Sequence, residues 1–298
     1  MSSNSERIYC SEVARNENAP MQGTAVHVDM WLLLEYPRPW KPKALLENDL
    51  PEQVNNHIDQ LPKVALEEGI RLRVQFIKQA SSADVTHPRA FLADGREGKI
   101  RLVTTTLERY SDIQTLQPEN LLQGELPGGE ELEDELLLVC TNGQRDLCCA
   151  RFGLPLFEAL AFEYGQRVWQ TTHVGGHRYA PNLLCLPSGL LYGHVMPDIA
   201  TDLVASHDEG KLDLAHLRGR SAGNPARQAA EIYVRERLGQ SSEALVIKQL
   251  DELRFSWLTG AAEGEIALSK VSLGEVLASC GKAPKEDHAF ELREFTHN

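Results

Sequence analysis

What the chain lacks narrows its identity first. No stretch approaches the ~18 apolar residues needed to span a bilayer; the run around residues 30–34 is far too short. The opening Met-Ser-Ser-Asn-Ser-Glu-Arg has no apolar core of the kind a secretory signal carries. The sequence therefore predicts a cytoplasmic protein with no membrane partner. Basic residues are scarce: 30 Lys and Arg against 43 Asp and Glu leave a net charge of −13. Such a surface repels phosphate backbones, so nucleic acid is not an expected partner. No Cys-x-x-Cys occurs, which removes the usual signature of a thiol–disulfide enzyme. Nor is there a G-x-G-x-x-G fingerprint for a flavin or nicotinamide cofactor.

What is present has the proportions of a soluble globular protein, with 42% hydrophobic and 24% charged residues. A chain of 298 residues is longer than one ordinary core serves, so two domains, or one with a substantial extension, are expected. The six cysteines are Cys10, Cys140, Cys148, Cys149, Cys185 and Cys280. A disulfide framework is not expected in a cytosolic chain of this length. Three of the six fall within ten residues, and that clustering asks for a chemical explanation.

The pattern along the chain is α/β. Residues 23–36 read as a strand ended by Pro37, Pro39 and Pro42. A helix over residues 50–66, interrupted near Pro62, precedes an alternating strand at 70–78. Residues 90–93 and 99–105 flank a turn and predict a hairpin. Residues 1–124 thus form a mixed α/β N-terminal domain, and 125–135, rich in acids after a Pro-Gly-Gly, an acidic linker. Residues 136–213 then give a strand into Cys140, a helix over 147–164, a strand at 167–172, a hairpin across Pro187-Ser188-Gly189 and a helix at 198–206. That order is what a minimal thioredoxin-like fold requires. Residues 214–298 are a C-terminal extension. It opens with a basic stretch at 218–220, read as an exposed anion-binding loop. A helix over 225–238 follows, with Asn224 as N-cap, Pro225 in the first turn and Gly239 as the stop. Four possible strands complete it, either closing the N-terminal domain or forming a layer of their own.

The chemistry concentrates in Cys140-Thr-Asn-Gly-Gln-Arg-Asp-Leu-Cys148-Cys149 and Trp169-Gln-Thr-Thr-His173-Val-Gly-Gly-His177. Each segment sits where a strand gives way to a loop, and in an α/β sheet such loops open into one crevice. Gly175 and Gly176 between the histidines favour a loop wrapped closely around something rather than a helix. Two thiols and two imidazoles in one crevice make a metal site. Zinc accepts that donor set, although eight residues between Cys140 and Cys149 is wider than the two to four typical of a zinc knuckle. A binuclear cluster needs a broader embrace.

This spacing resembles that of the thioredoxin-like [2Fe–2S] ferredoxins, with histidines in place of the second cysteine pair. Together with His-Val-Gly-Gly-His-Arg-Tyr-Ala-Pro-Asn, the early Cys10-Ser-Glu, Gly23-Thr-Ala, and Trp31-Leu-Leu-Leu-Glu-Tyr-Pro-Arg-Pro-Trp40, it resembles the sucrase/ferredoxin-like family. The resemblance implies one [2Fe–2S] cluster on Cys140, Cys149, His173 and His177, and an electron-transfer protein served by an unidentified redox partner. Cys148 is the alternative to Cys149, and Arg145, Arg178 and Asn182 border the site as hydrogen-bond donors. Replacing two thiolates by neutral imidazoles removes two negative charges, which predicts a potential above the roughly −400 mV of plant-type ferredoxins. Imidazoles that titrate further predict a potential that falls as pH rises. The competing readings are a structural zinc module on the same four residues and a thiol redox protein. Sucrose cleavage is not expected, because no pair of carboxylates stands out that would flank a glycosidic bond. Cys185 and Cys280 read as buried apolar residues.

Overall fold

The computed structural model describes residues 7–239 and 244–297. Its centre is a ten-stranded mixed sheet, accompanied by helices and by a separate four-stranded sheet. The first part of the chain forms α1 (Cys10–Asn16), β1 (Met30–Glu35), α2 (Glu52–Glu67), β2 (Leu72–Lys78), β3 (Arg89–Asp94) and β4 (Arg101–Thr106). Next come α3 (Pro118–Leu122), β5 (Glu130–Glu131), β6 (Leu136–Cys140), α4 (Leu147–Tyr164), β7 (Val168–Thr171), β8 (Leu183–Leu186) and β9 (Leu190–Tyr192). After α5 (Pro197–Asp208), β10 (Leu217–Arg220) and α6 (Pro225–Leu238), the chain ends in β11 (Val246–Gln249), β12 (Arg254–Leu258), β13 (Glu263–Val276) and β14 (Lys285–Phe295).

The large sheet runs β10-β9-β8-β6-β7-β2-β1-β3-β4-β5, and one pattern occurs in it twice. Parallel β1 and β2 are joined by α2, and β3 and β4 follow antiparallel beside β1. Parallel β6 and β7 are joined by α4, and β8 and β9 follow antiparallel beside β6. In both cases a helix makes the long crossover that a parallel pair needs. The halves meet where β2 pairs antiparallel with β7, Ile77 opposite Thr171 and Lys78 opposite Gln170. A two-fold axis through that seam would generate this arrangement.

Strand alternation divides the core. Met30, Leu32 and Leu34 of β1 face Val54, Ile58, Leu61 and Ala65 of α2, and Leu137 and Val139 of β6 face Leu156 and Leu160 of α4. Trp31 and Leu33, with Leu136, Leu138 and Cys140, turn to the other face and share one core across both halves. Burial on both faces is why β1 and β6 read as unbroken apolar runs.

Two expectations change, and one alternative left open is decided. Helix α2 is not interrupted at Pro62 but continues through it to Glu67. The lost hydrogen bond is outweighed by burial of Val54, Ile58, Leu61 and Ala65 along one face. The stretch 218–220 is not an exposed loop. It is strand β10 on β9, and Arg218 is only 1% exposed. The guanidinium is buried because Thr24, Gly175 and Asn182 satisfy its donors. The four late strands form a layer of their own, the antiparallel sheet β11-β12-β13-β14, packed on α6 through Phe255, Trp257, Ile266 and Leu268. Within 125–135, Leu126 is buried and β5 pairs with β4 at the sheet edge. No helix among the described residues is long and apolar enough to cross a membrane.

Candidate metal centre

The site forms where β6 and β7 end. Cys140 is the last residue of β6, and the loop 141–146 leads into α4. Asp146 caps that helix, its Oδ1 accepting from the Cys148 amide at 3.0 Å. The helix then crosses close over the strand end. A Cβ at Gly153 would collide with the Cys140 carbonyl, so glycine is what lets α4 settle there and bring Cys149 beside Cys140.

From β7 the chain passes through Thr172 into the histidine loop. Its His173 carbonyl accepts from Arg73 Nη2 at 2.6 Å, a residue of β2 in the other half of the sheet. Gly176 has φ +66° and lies against the Arg218 guanidinium, where a side chain would have no room. Arg218 donates to the Gly175 carbonyl at 3.1 Å and to Asn182 Oδ1 at 2.7 Å. Asn182 in turn donates to the Gly176 carbonyl at 3.2 Å. Burial lowers the Arg218 pKa to about 10, which still leaves it charged at neutral pH.

These loops bring Cys140, Cys149 and His173 together, with their donor atoms within 4.8 Å of one another. His173 Nδ1 is 3.9 Å from Cys140 Sγ and 3.8 Å from Cys149 Sγ. The His177 ring is centred 4.7 Å from that of His173. Its Nε2 lies 3.6 Å from Asp146 Oδ2, while its Nδ1 is buried without a hydrogen-bond partner. A buried imidazole nitrogen with no partner is what a ligand atom lacking its metal looks like. Burial, aided by the neighbouring His173, lowers the His177 pKa to about 4, so its lone pair is free at neutral pH. Hydrogen bonding from Cys149 holds Cys140 well below the usual thiol range, and the same contact holds Cys149 above it.

Cys148 faces away from this group, toward Cys10 and Cys280. Arg178 points to Asp287 at 3.2 Å and to the Tyr179 hydroxyl rather than to the thiols. Asn182 reaches the loop backbone. Arg145 lines a cavity of about 650 Å³ beside His177, together with Arg178, Arg218, Lys270, Lys282 and Lys285. That mouth is basic on an otherwise acidic protein. Sequence reasoning missed Arg73 and read Arg218 as an exposed anion-binding residue, whereas both cations hold the histidine loop. Each is distant in the chain, and no local signal pairs it with the loop.

The fold is α/β, and its site gathers thiol and imidazole donors at the strand ends. The chain belongs to the sucrase/ferredoxin-like family, whose model matches residues 21–219. Two curated relatives are similar to part of it, both described as altered inheritance of mitochondria protein 32. The one from Meyerozyma guilliermondii is 34% identical over 89 residues, which are 25% of this chain and 30% of the relative. The one from Debaryomyces hansenii is 29% identical over 85 residues, 25% of this chain and 31% of the relative. The chain thus spans less than a third of the length of the curated relatives it matches. No solved structure matches it.

Proposed function

We propose that the protein is an iron–sulfur electron-transfer protein that holds one [2Fe–2S] cluster on Cys140, Cys149, His173 and His177. The observation that carries this reading is the donor set itself: two buried thiols beside His173, and a neutral His177 whose buried Nδ1 has no partner. A cluster bound there would accept and return one electron. The protein's residues prepare the place. Asp146 Oδ2 lies 3.6 Å from Nε2 of His177, a carboxylate neighbour that would favour the proton on that nitrogen and leave Nδ1 for iron. Arg218, Asn182 and Arg73 fix the histidine loop by its carbonyls. The basic cavity beside His177 favours a negatively charged redox partner. The strand order β7-β6-β8-β9 with α4 between β6 and β7 supports a thioredoxin-like ferredoxin unit.

A second reading, a single zinc on the same residues, draws on the two sulfur–nitrogen distances of 3.9 and 3.8 Å. They lie near the edge of about 3.6 Å expected of a tetrahedron around one zinc. The deciding measurement is a visible spectrum of anaerobically purified protein with iron, sulfide and zinc assayed on the same sample. A brown protein bleached by dithionite, with about two irons and two sulfides per chain, is expected. A colourless protein that takes up zinc but no iron on anaerobic reconstitution would overturn the electron-transfer reading.

A further inference from the structure

A second group of thiols lies on the far side of the first turn of α4. Cys10 comes from α1, Cys148 from the start of α4, and Cys280 from the loop between β13 and β14. Their sulfurs form a triangle with edges of 3.6 Å (Cys10–Cys148), 3.3 Å (Cys148–Cys280) and 3.7 Å (Cys280–Cys10). The Asp146 carboxylate completes the group, with Oδ1 3.9 Å from Cys10 Sγ. Segments 138 and 132 residues apart in the chain converge on Cys148.

We propose that Cys10, Cys148, Cys280 and Asp146 bind a zinc ion, separate from the centre on Cys140 and Cys149. The sulfur triangle carries the inference. Thiolates at about 2.3 Å from a tetrahedral zinc stand about 3.8 Å from one another, and a carboxylate oxygen in the fourth place stands about 3.6 Å from each. The triangle lies within about half an ångström of that edge. A disulfide is a poor account of it, since bonded sulfurs are about 2.05 Å apart and a disulfide uses two sulfurs, not three. Simple apolar packing does not account for it either, because the sulfurs are held by polar contacts. The Ser11 amide donates to Cys148 Sγ at 3.5 Å, and the Cys10 amide donates to Cys280 Sγ at 3.5 Å. An amide donor to sulfur favours the thiolate form that a metal ion binds. Asp146 is fixed from its other side by the Ser279 hydroxyl and the Cys280 amide, each at 2.9 Å. Phe152, Ala180, Tyr9 and Leu277 close an apolar shell around the group. Three sulfurs, one carboxylate and no open position describe a structural zinc rather than a catalytic one.

The test counts metals in the full chain, expressed with zinc and iron and purified anaerobically. One zinc per chain is expected in wild type, and zinc-edge X-ray absorption should find about three sulfurs at about 2.3 Å with one lighter ligand. Cys280→Ala, at the partly exposed corner, should lose the zinc and keep the iron. Cys140→Ala/His173→Ala should do the reverse. Wild type that holds no zinc and binds none from added zinc chloride would overturn the proposal. So would a zinc with a two-sulfur, two-nitrogen shell that leaves with Cys140 and His173, or a native disulfide among the three cysteines. None of these depends on whether the first centre holds iron, since the X-ray spectrum is read on wild type and tells the two sites apart by their ligands.

Discussion

The two halves of the large sheet repeat one topology and put different chemistry at the same place. Strand β1 ends at Glu35 and its counterpart β6 ends at Cys140. Glu35 is 2% exposed, yet its carboxylate is fully engaged: the Ser82 hydroxyl donates to it, as do the Arg89 amide at 3.1 Å and the Arg89 Nε at 3.4 Å. Gln79, just past β2, uses its side chain to bind the Val168 and Gln166 carbonyls across the seam. In the other half the corresponding crevice contains the Cys140 and Cys149 sulfurs beside His173 and a His177 nitrogen with no partner. One strand end is saturated by the protein and the other is left open. The difference singles out the half whose strand end sets two thiols beside one imidazole and near a second imidazole nitrogen that has no partner.

The comparison is broken most directly at the open end. Cys149→Ala should remove all bound iron, whereas Cys148→Ala should keep it, read by iron assay and visible absorbance. Equal loss in both would show that the two sulfurs belong to one site. At the saturated end, Glu35→Ala should leave the iron content unchanged and cost about 2 kcal/mol in a urea titration. That figure is below the usual 3–5 kcal/mol for breaking a buried pair, because Arg89 is 34% exposed and can reach water. Iron lost along with stability would mean that the two ends are not independent.

The smallest effect concerns the back of the second half, where His207 Nε2 lies 2.6 Å from Glu135 Oε2 and Nδ1 is 3.2 Å from the Tyr192 hydroxyl. Burial works against the His207 imidazolium, but Cys185 and Glu135 outweigh it and push its pKa from 6.5 up to about 11. A raised pKa means stability that is complete below 6.5 and is lost as pH rises through about 11. The wild-type melting temperature should therefore fall between neutral and alkaline pH more steeply than that of Glu135→Gln. Parallel curves would show that this pair contributes nothing across that range.

Much of this was legible locally. Helix α4 starts and stops at 147 and 164 as its apolar pattern predicts, and α6 runs between its Asn224 cap and Gly239. The loop character of His173-Val-Gly-Gly-His177 also follows from its glycines. The features that depend on contacts between distant segments were hidden. Cys10 and Cys280 carry no local sign that they meet at Cys148, and Cys280, read as an apolar burial, is partly exposed among thiols. Arg218 looked solvated because its neighbours are Arg and Gly, while its partners Thr24, Gly175 and Asn182 lie elsewhere in the chain. The doubled topology depends on which strands pair across the sheet, which no local pattern in the chain specifies.

Arg73 gives that doubling a consequence for what can be inherited or transplanted as a unit. It stands on β2, in the half with the saturated strand end, and it holds the His173 carbonyl of the other half. A fragment of residues 136–213 would contain every donor of the proposed cluster and still lack the arm that steadies its histidine loop. The smallest self-sufficient piece is then the sheet as a whole, and the family match over residues 21–219 covers nearly all of it.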